Sequence, residues 1–89
     1  MRPVADPERL ARLVRAYQLA EHEKGRLIRE QAGITLQELA ARIGTNISEL
    51  SRWERRKARP RAACALRWLE AIEVIQSARG NLLAEKPVA

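Results

Sequence analysis

Ala40, Gly44 and Leu50 stand at fixed offsets inside the stretch LQELAARIGTNISELSRWER, residues 36–55. Each position carries a separate constraint. A large side chain at Ala40 would hold two helices apart. A β-carbon at Gly44 would strain a turn that needs positive φ. A polar group at Leu50 would be buried without a partner. Together the three specify two short helices packed on each other across a tight turn.

Local chemistry sets the ends of these helices. Thr35 is an N-cap, and Glu38 is its capping-box partner. The helix it starts runs to about Ile43 and buries Leu39, Ala40 and Ile43. Asn46 caps the next helix, with Glu49 again at the third position. Leu50 and Trp53 form its core face, and it ends near Arg56. Pro60 opens a last helix of roughly 17–20 residues that Gly80 stops. One stripe of that helix holds Ala62, Ala65, Leu66, Leu69, Ile72 and Gln76. Trp68, Ile72 and Ile75 form an adjoining stripe.

Upstream, Asp6 is placed to cap a helix that Pro7 begins. That helix reaches Ala32, either as one long rod or bent at Gly25. Leu10, Leu13, Val14 and Tyr17 recur along it at spacings of three and four. In its back half Leu27, Ile28 and Ala32 share a side, and Gly33 ends it. Residues 1–80 therefore read as one domain. Residues 81–89 have no periodicity and read as a disordered tail.

The charge is concentrated where the two short helices lie. The chain carries a net charge of +6. Residues 24–61 hold ten basic residues against four acidic ones, which accounts for all of it; both flanks are neutral. A basic helix pair of this geometry suits a polyanion, and the second helix fits the major groove of duplex DNA. With Leu50 and Trp53 inward, the base-facing positions are Ile47, Ser48, Ser51, Arg52 and Arg55. Arg52 has the fork for guanine, and Ser48 donates or accepts at several bases. Ile47 either meets a thymine methyl group or joins the core. Arg52 and Arg55 also suit an ordinary solvated helix surface. Thr35, Thr45 and Asn46, at helix N-termini, are candidates for phosphate contact. So are Arg56, Lys57, Arg59 and Arg61, which follow the second helix.

The segments IREQAGITLQELAARIG and ISELSRWE, followed by Pro60, resemble the Cro and phage-repressor-like helix-turn-helix family, also called the xenobiotic-response-element (XRE) family. The resemblance covers residues 25–60. It implies an all-α fold, a compact lambda-repressor-like bundle of about five helices. It implies a dimeric transcriptional repressor of a palindromic operator. Family members often join an arginine of the first helix to a glutamate ending the recognition helix, and Arg29 and Glu54 occupy those places. The chain departs from the family at three points. Leu36 and Ile47 stand where glutamines are frequent, and Arg55-Arg56 stands where a glycine usually follows the glutamate. Residues 7–23 add to the family minimum.

Other function classes are poorly served. His22 is the only histidine and Cys64 the only cysteine, with no carboxylate pair beside either, so neither catalysis nor a cofactor or metal is expected. Cys64 reads as a small buried hydrophobe. Aromatic residues are 3% of the chain, too few for stacking on single strands. No apolar run reaches the length of a membrane span, and the N-terminus has no leader-like apolar stretch. The expectation is a cytoplasmic protein of bacterial, phage or plasmid origin. One recognition helix reads only a few base pairs, so a homodimer is expected. Its interface falls to the apolar residues of the neutral ends, Leu10, Leu13, Val14 and Tyr17 in front and Trp68, Ile72 and Ile75 behind, unless these stripes pack on each other within one chain. Two alternatives stand beside the repressor. One is an antitoxin that binds its operator and a toxin protein. The other is an interaction module of the same fold that no longer binds DNA.

Overall fold

The last helix is the spine of the molecule. A computed structural model describes residues 6–85. Helix α1 spans Pro7–Gln18, and a single 3-10 turn follows at Glu21–Glu23. Then come α2 (Lys24–Gln31), α3 (Leu36–Ile43), α4 (Ile47–Glu54) and α5 (Ala62–Glu85). Helices α1, α2 and α3 all pack against α5, and α4 packs on α3 and α2. The described residues contain no strand.

The core fills the space between α5 and the others. Trp68, Ile43, Leu50 and Ile72 are its largest fully enclosed side chains. Leu39, Ala40, Trp53, Ala65, Leu69 and Ala71 complete it, and Ala16 and Leu19 bring in the end of α1. The rings of Trp53 and Trp68 lie 5.9 Å apart at a 44° tilt, which joins α4 to α5. Cys64 is half-buried against this core rather than enclosed in it.

The caps follow the local chemistry. The Asp6 carboxylate accepts from the Glu8 N–H at 3.1 Å, with Pro7 at the first helical position. Thr35 and Glu38 close a reciprocal capping box, at 3.0 Å and 2.9 Å. Gly44 ends α3 at φ +90°, and its N–H and that of Thr45 both reach the Ala40 carbonyl at 2.9 Å. These bonds serve the carbonyls that the end of a helix leaves open.

The segment 7–32 is neither one rod nor a rod bent at Gly25. It breaks earlier, where His22 and Glu23 adopt φ of +54° and +53° in succession. Two consecutive left-handed non-glycine residues cost on the order of 1–3 kcal/mol each, so packing on either side holds them. Gly25 lies inside α2 and is buried. A β-carbon there would stand 2.9 Å from Cζ2 of Trp68 and 3.2 Å from the Leu19 carbonyl oxygen. The residue is small because three elements converge on it.

Three further expectations need correction. Gly80 does not stop the last helix, which continues to Glu85; the rest of the expected tail, 86–89, lies outside the described residues. Leu27 does not share the core side of α2 and is 50% exposed. Trp68 and Ile72 cannot form a dimer interface, because both are enclosed in the chain's own core. Leu13, Tyr17 and Ile75 are also packed against that core. The front and back stripes largely meet each other, pinned by Arg12, whose guanidinium grips Glu73 of α5 at 2.8 Å and 3.3 Å. Of the proposed interface set, Leu10 and Val14 remain exposed.

Candidate nucleic-acid interface

The site begins with a buried ion pair. Arg29 of α2 donates from Nε to one carboxylate oxygen of Glu54 at 2.7 Å and from Nη2 to the other at 3.1 Å. A third donor, Nη1, reaches the Ile34 carbonyl at 2.9 Å. Glu54 is 2% exposed and Arg29 7%. The fork-to-fork geometry fixes the end of α4 against α2 and the turn that follows it.

The far end of α4 closes in an unexpected way. Lys57 N–H reaches the Arg52 carbonyl at 2.8 Å, and Arg56 N–H reaches that of Trp53 at 3.1 Å. This is a Schellman closure, whose pivot is normally glycine. Here the pivot is Arg56, at φ +60°. The chain accepts the cost of a left-handed β-carbon, roughly 1–2 kcal/mol, and keeps a cation where a glycine would have none.

Between α3 and α4 runs an open groove. Gln37, Thr45, Asn46, Ile47, Ser48, Glu49 and Arg52 line it. Ile47 is 45% exposed, which removes it from the core. Ser48 is exposed and Ser51 half-buried. Gln37 and Glu49 are groove residues that reading the sequence passed over. Gln37 was detectable as the solvent-side neighbour of Leu36 on α3. Glu49 was read only as a cap partner.

Arg55 does not belong to this groove. It is the C-cap of α4 and lies beside His22, Glu23, Arg26 and Arg56 in a separate depression. Downstream, Arg56, Lys57, Arg59 and Arg61 are all exposed. Arg59 stacks its guanidinium over the Tyr17 ring at 4.6 Å, which ties the loop to α1. Among the described residues, none of the five cations from Arg55 to Arg61 forms a salt bridge. Elsewhere Arg12, Arg26, Arg29, Arg42 and Arg52 each have a carboxylate partner. Arg9, Arg15, Lys24, Arg67 and Arg79 also lack a salt bridge among the described residues, but they are scattered, whereas the loop that leaves α4 gathers five such cations within residues 55–61.

Comparison with known proteins agrees with this geometry. A sequence profile described as helix-turn-helix matches residues 26–74, more than half of the chain. The chain belongs to the helix-turn-helix family. Its members of the XRE, Cro and phage-repressor type are DNA-binding transcription regulators. In this helix-turn-helix protein α3, α4 and all of α2 but its first two residues fall within the matched span, as does the part of α5 that fills the core. Helix α1 and the strained turn at His22 and Glu23 fall outside it. No curated protein and no solved structure gives a significant match. Among the described residues, no helix is long and apolar enough to cross a membrane and no side-chain cluster has the makings of a metal site.

Proposed function

We propose that this chain is a sequence-specific regulator that binds duplex DNA and represses transcription from a palindromic operator as a homodimer. The observation that carries the proposal is the row of five cations from Arg55 to Arg61 that have no salt bridge among the described residues, next in sequence to α4. Phosphates take up such a row and fix the register of the helix, while groove contacts supply the sequence preference. Arg52, Ser48, Ser51 and Ile47 read base edges in this scheme. Arg56, Lys57, Arg59 and Arg61 hold phosphates, together with the helix starts at Thr35, Thr45 and Asn46. Arg55 moves from the base-reading group to the phosphate group, because it sits at the helix end beside Arg56.

A dimer sets two copies of α4 about 34 Å apart, one turn of DNA. Its surface is drawn from apolar side chains that the single chain leaves open, Leu10 and Val14 of α1 and Val74 of α5. An antitoxin would use the Leu10 and Val14 face for a toxin instead, and the position of α1 outside the matched span favours keeping that second reading. Either protein would work in the cytoplasm of a bacterium, encoded by its chromosome, a phage or a plasmid.

The test is the salt dependence of binding to a random duplex. Neutralising about five phosphates makes log affinity fall against log salt with a slope of about −5. Sedimentation on a palindromic duplex should then give two chains per site. A flat salt response would end the DNA reading, and one chain per palindrome would end the dimer.

A further inference from the structure

Glu38 and Glu49 occupy the same position in successive helices, three residues after a capping side chain, yet they do different things. The Glu38 carboxylate turns back and accepts the Thr35 N–H at 2.9 Å. Glu49 donates its own N–H to the Asn46 cap at 2.8 Å. Its carboxylate turns forward instead and accepts from Nη1 of Arg52 at 2.7 Å. That places a negative charge in the groove beside the chain's most basic segment. A carboxylate there repels the phosphates that the rest of the face attracts. Its place in the first turn favours the helix start, and toward DNA it is offset only by a donor opposite it.

We infer that Glu49 is a specificity-determining residue that acts with Arg52 as one reading unit for adjacent G·C pairs. This rests on the DNA reading above. Glu49 engages one arm of the Arg52 fork, and among the described residues the Nε and Nη2 donors of Arg52 have no hydrogen-bond partner. That remaining edge carries two parallel donors, which match O6 and N7 of guanine. The contacting oxygen of Glu49 is Oε2. Oε1 is left to accept from the N4 amino group of a neighbouring cytosine, the one base whose major-groove edge offers an unaccompanied donor of this kind. Adenine also has an amino group, but its N7 acceptor beside it repels a carboxylate. The pair therefore has two effects. It limits the orientations of a long side chain, and it penalises any site that lacks a donor opposite Glu49.

The experiment is selection of bound sequences from a random duplex pool by the full chain and by Glu49→Gln, with thermal scans of both. The variant keeps the Asn46 cap, which uses the backbone N–H of residue 49, so it should melt within a few degrees of the parent. The parent should select guanine at one position and cytosine at its neighbour. In Glu49→Gln the cytosine preference should fall roughly tenfold or more, the guanine preference should persist, and affinity for random duplex should rise. If the variant selects the parent's site with unchanged preferences, Glu49 serves the helix alone and the inference is wrong. If the parent selects no sequence at all, the DNA reading fails with it. If guanine and cytosine preferences vanish together while the fold is intact, Glu49 only positions Arg52 and does not itself read a base, which also overturns the inference.

Discussion

Removing Glu54 tests the joint between α2 and α4. Glu54→Ala would strip two of the three hydrogen-bond acceptors from the Arg29 guanidinium, those at 2.7 Å and 3.1 Å, and leave the Ile34 carbonyl at 2.9 Å and the half-exposed Glu30 carboxylate at 3.9 Å. Arg29 is 7% exposed, so little water can replace them. Two hydrogen bonds to a charged group are worth about 3–6 kcal/mol together. Breaking one side of a buried pair costs about 3–5 kcal/mol. The two routes agree on about 4 kcal/mol. A domain of this size has a total stability of roughly 4–13 kcal/mol, so the variant should be close to unfolding. Its melting temperature should fall by about 20 °C, since each kcal/mol is worth about 4–8 °C here. Replacing both partners by apolar residues, Arg29→Met with Glu54→Leu, should recover most of the loss because no lone charge remains. Urea denaturation followed by helical circular dichroism reads the parent, Glu54→Ala, Arg29→Met alone and the double variant. A single variant costing less than about 1 kcal/mol, or a double variant as unstable as the sum of the singles, would refute this account of the joint.

Two further outcomes follow from features of the fold. Gly25→Ala should destabilise the chain by about 1–3 kcal/mol through overpacking, although alanine is the better helix former; the β-carbon would lie 2.9 Å from the Trp68 ring, and a stabilised variant in a denaturation series would show that the contact is slack. The Glu38 carboxyl is held below its ordinary range by the Thr35 N–H first and the Thr35 hydroxyl second. A lowered folded value means that the stabilisation is present above the unfolded value, about 4.3, and is lost as pH falls through the folded one. An NMR titration of the Thr35 amide should therefore show its midpoint below that of an unperturbed glutamate, and Glu38→Gln should abolish that step.

The parts of this protein legible in its sequence are those whose cause is local. Thr35, Asn46 and Gly44 act on backbone within a few residues, and Leu39, Ala40, Ile43 and Leu50 repeat with the helix period. The helix-turn-helix could be read from them. Gly25 was misread because its reason is the Trp68 ring, far along the chain. Trp68 and Ile72 were misassigned because an apolar stripe does not say whether it meets its own chain or a second copy. Gly80 was expected to stop α5, but one glycine costs a helix only about 1 kcal/mol relative to alanine. The Arg29–Glu54 joint was visible only through family resemblance. The identical spacing of Glu38 and Glu49 concealed different partners, because Arg52 takes one carboxylate, whereas Arg42, four residues after Glu38, turns to Glu70 and leaves Glu38 to the Thr35 N–H.

The placement of the spine after the helix pair that it covers has a consequence for synthesis. Trp68 and Ile72 close over Leu39, Leu50 and Trp53, yet they leave the ribosome after them. At about 5–20 residues per second, the interval from Glu54 to Ile72 lasts roughly one to four seconds. Throughout it the nascent chain carries every residue of the α3–α4 pair without the α5 face that closes over them. The apolar sides that α5 will cover wait in water. This protein therefore completes its fold late, after α5 emerges, and not helix by helix from its N-terminus. A chain interrupted before Ile72 would contain the entire DNA-reading motif and remain a substrate for proteases and chaperones.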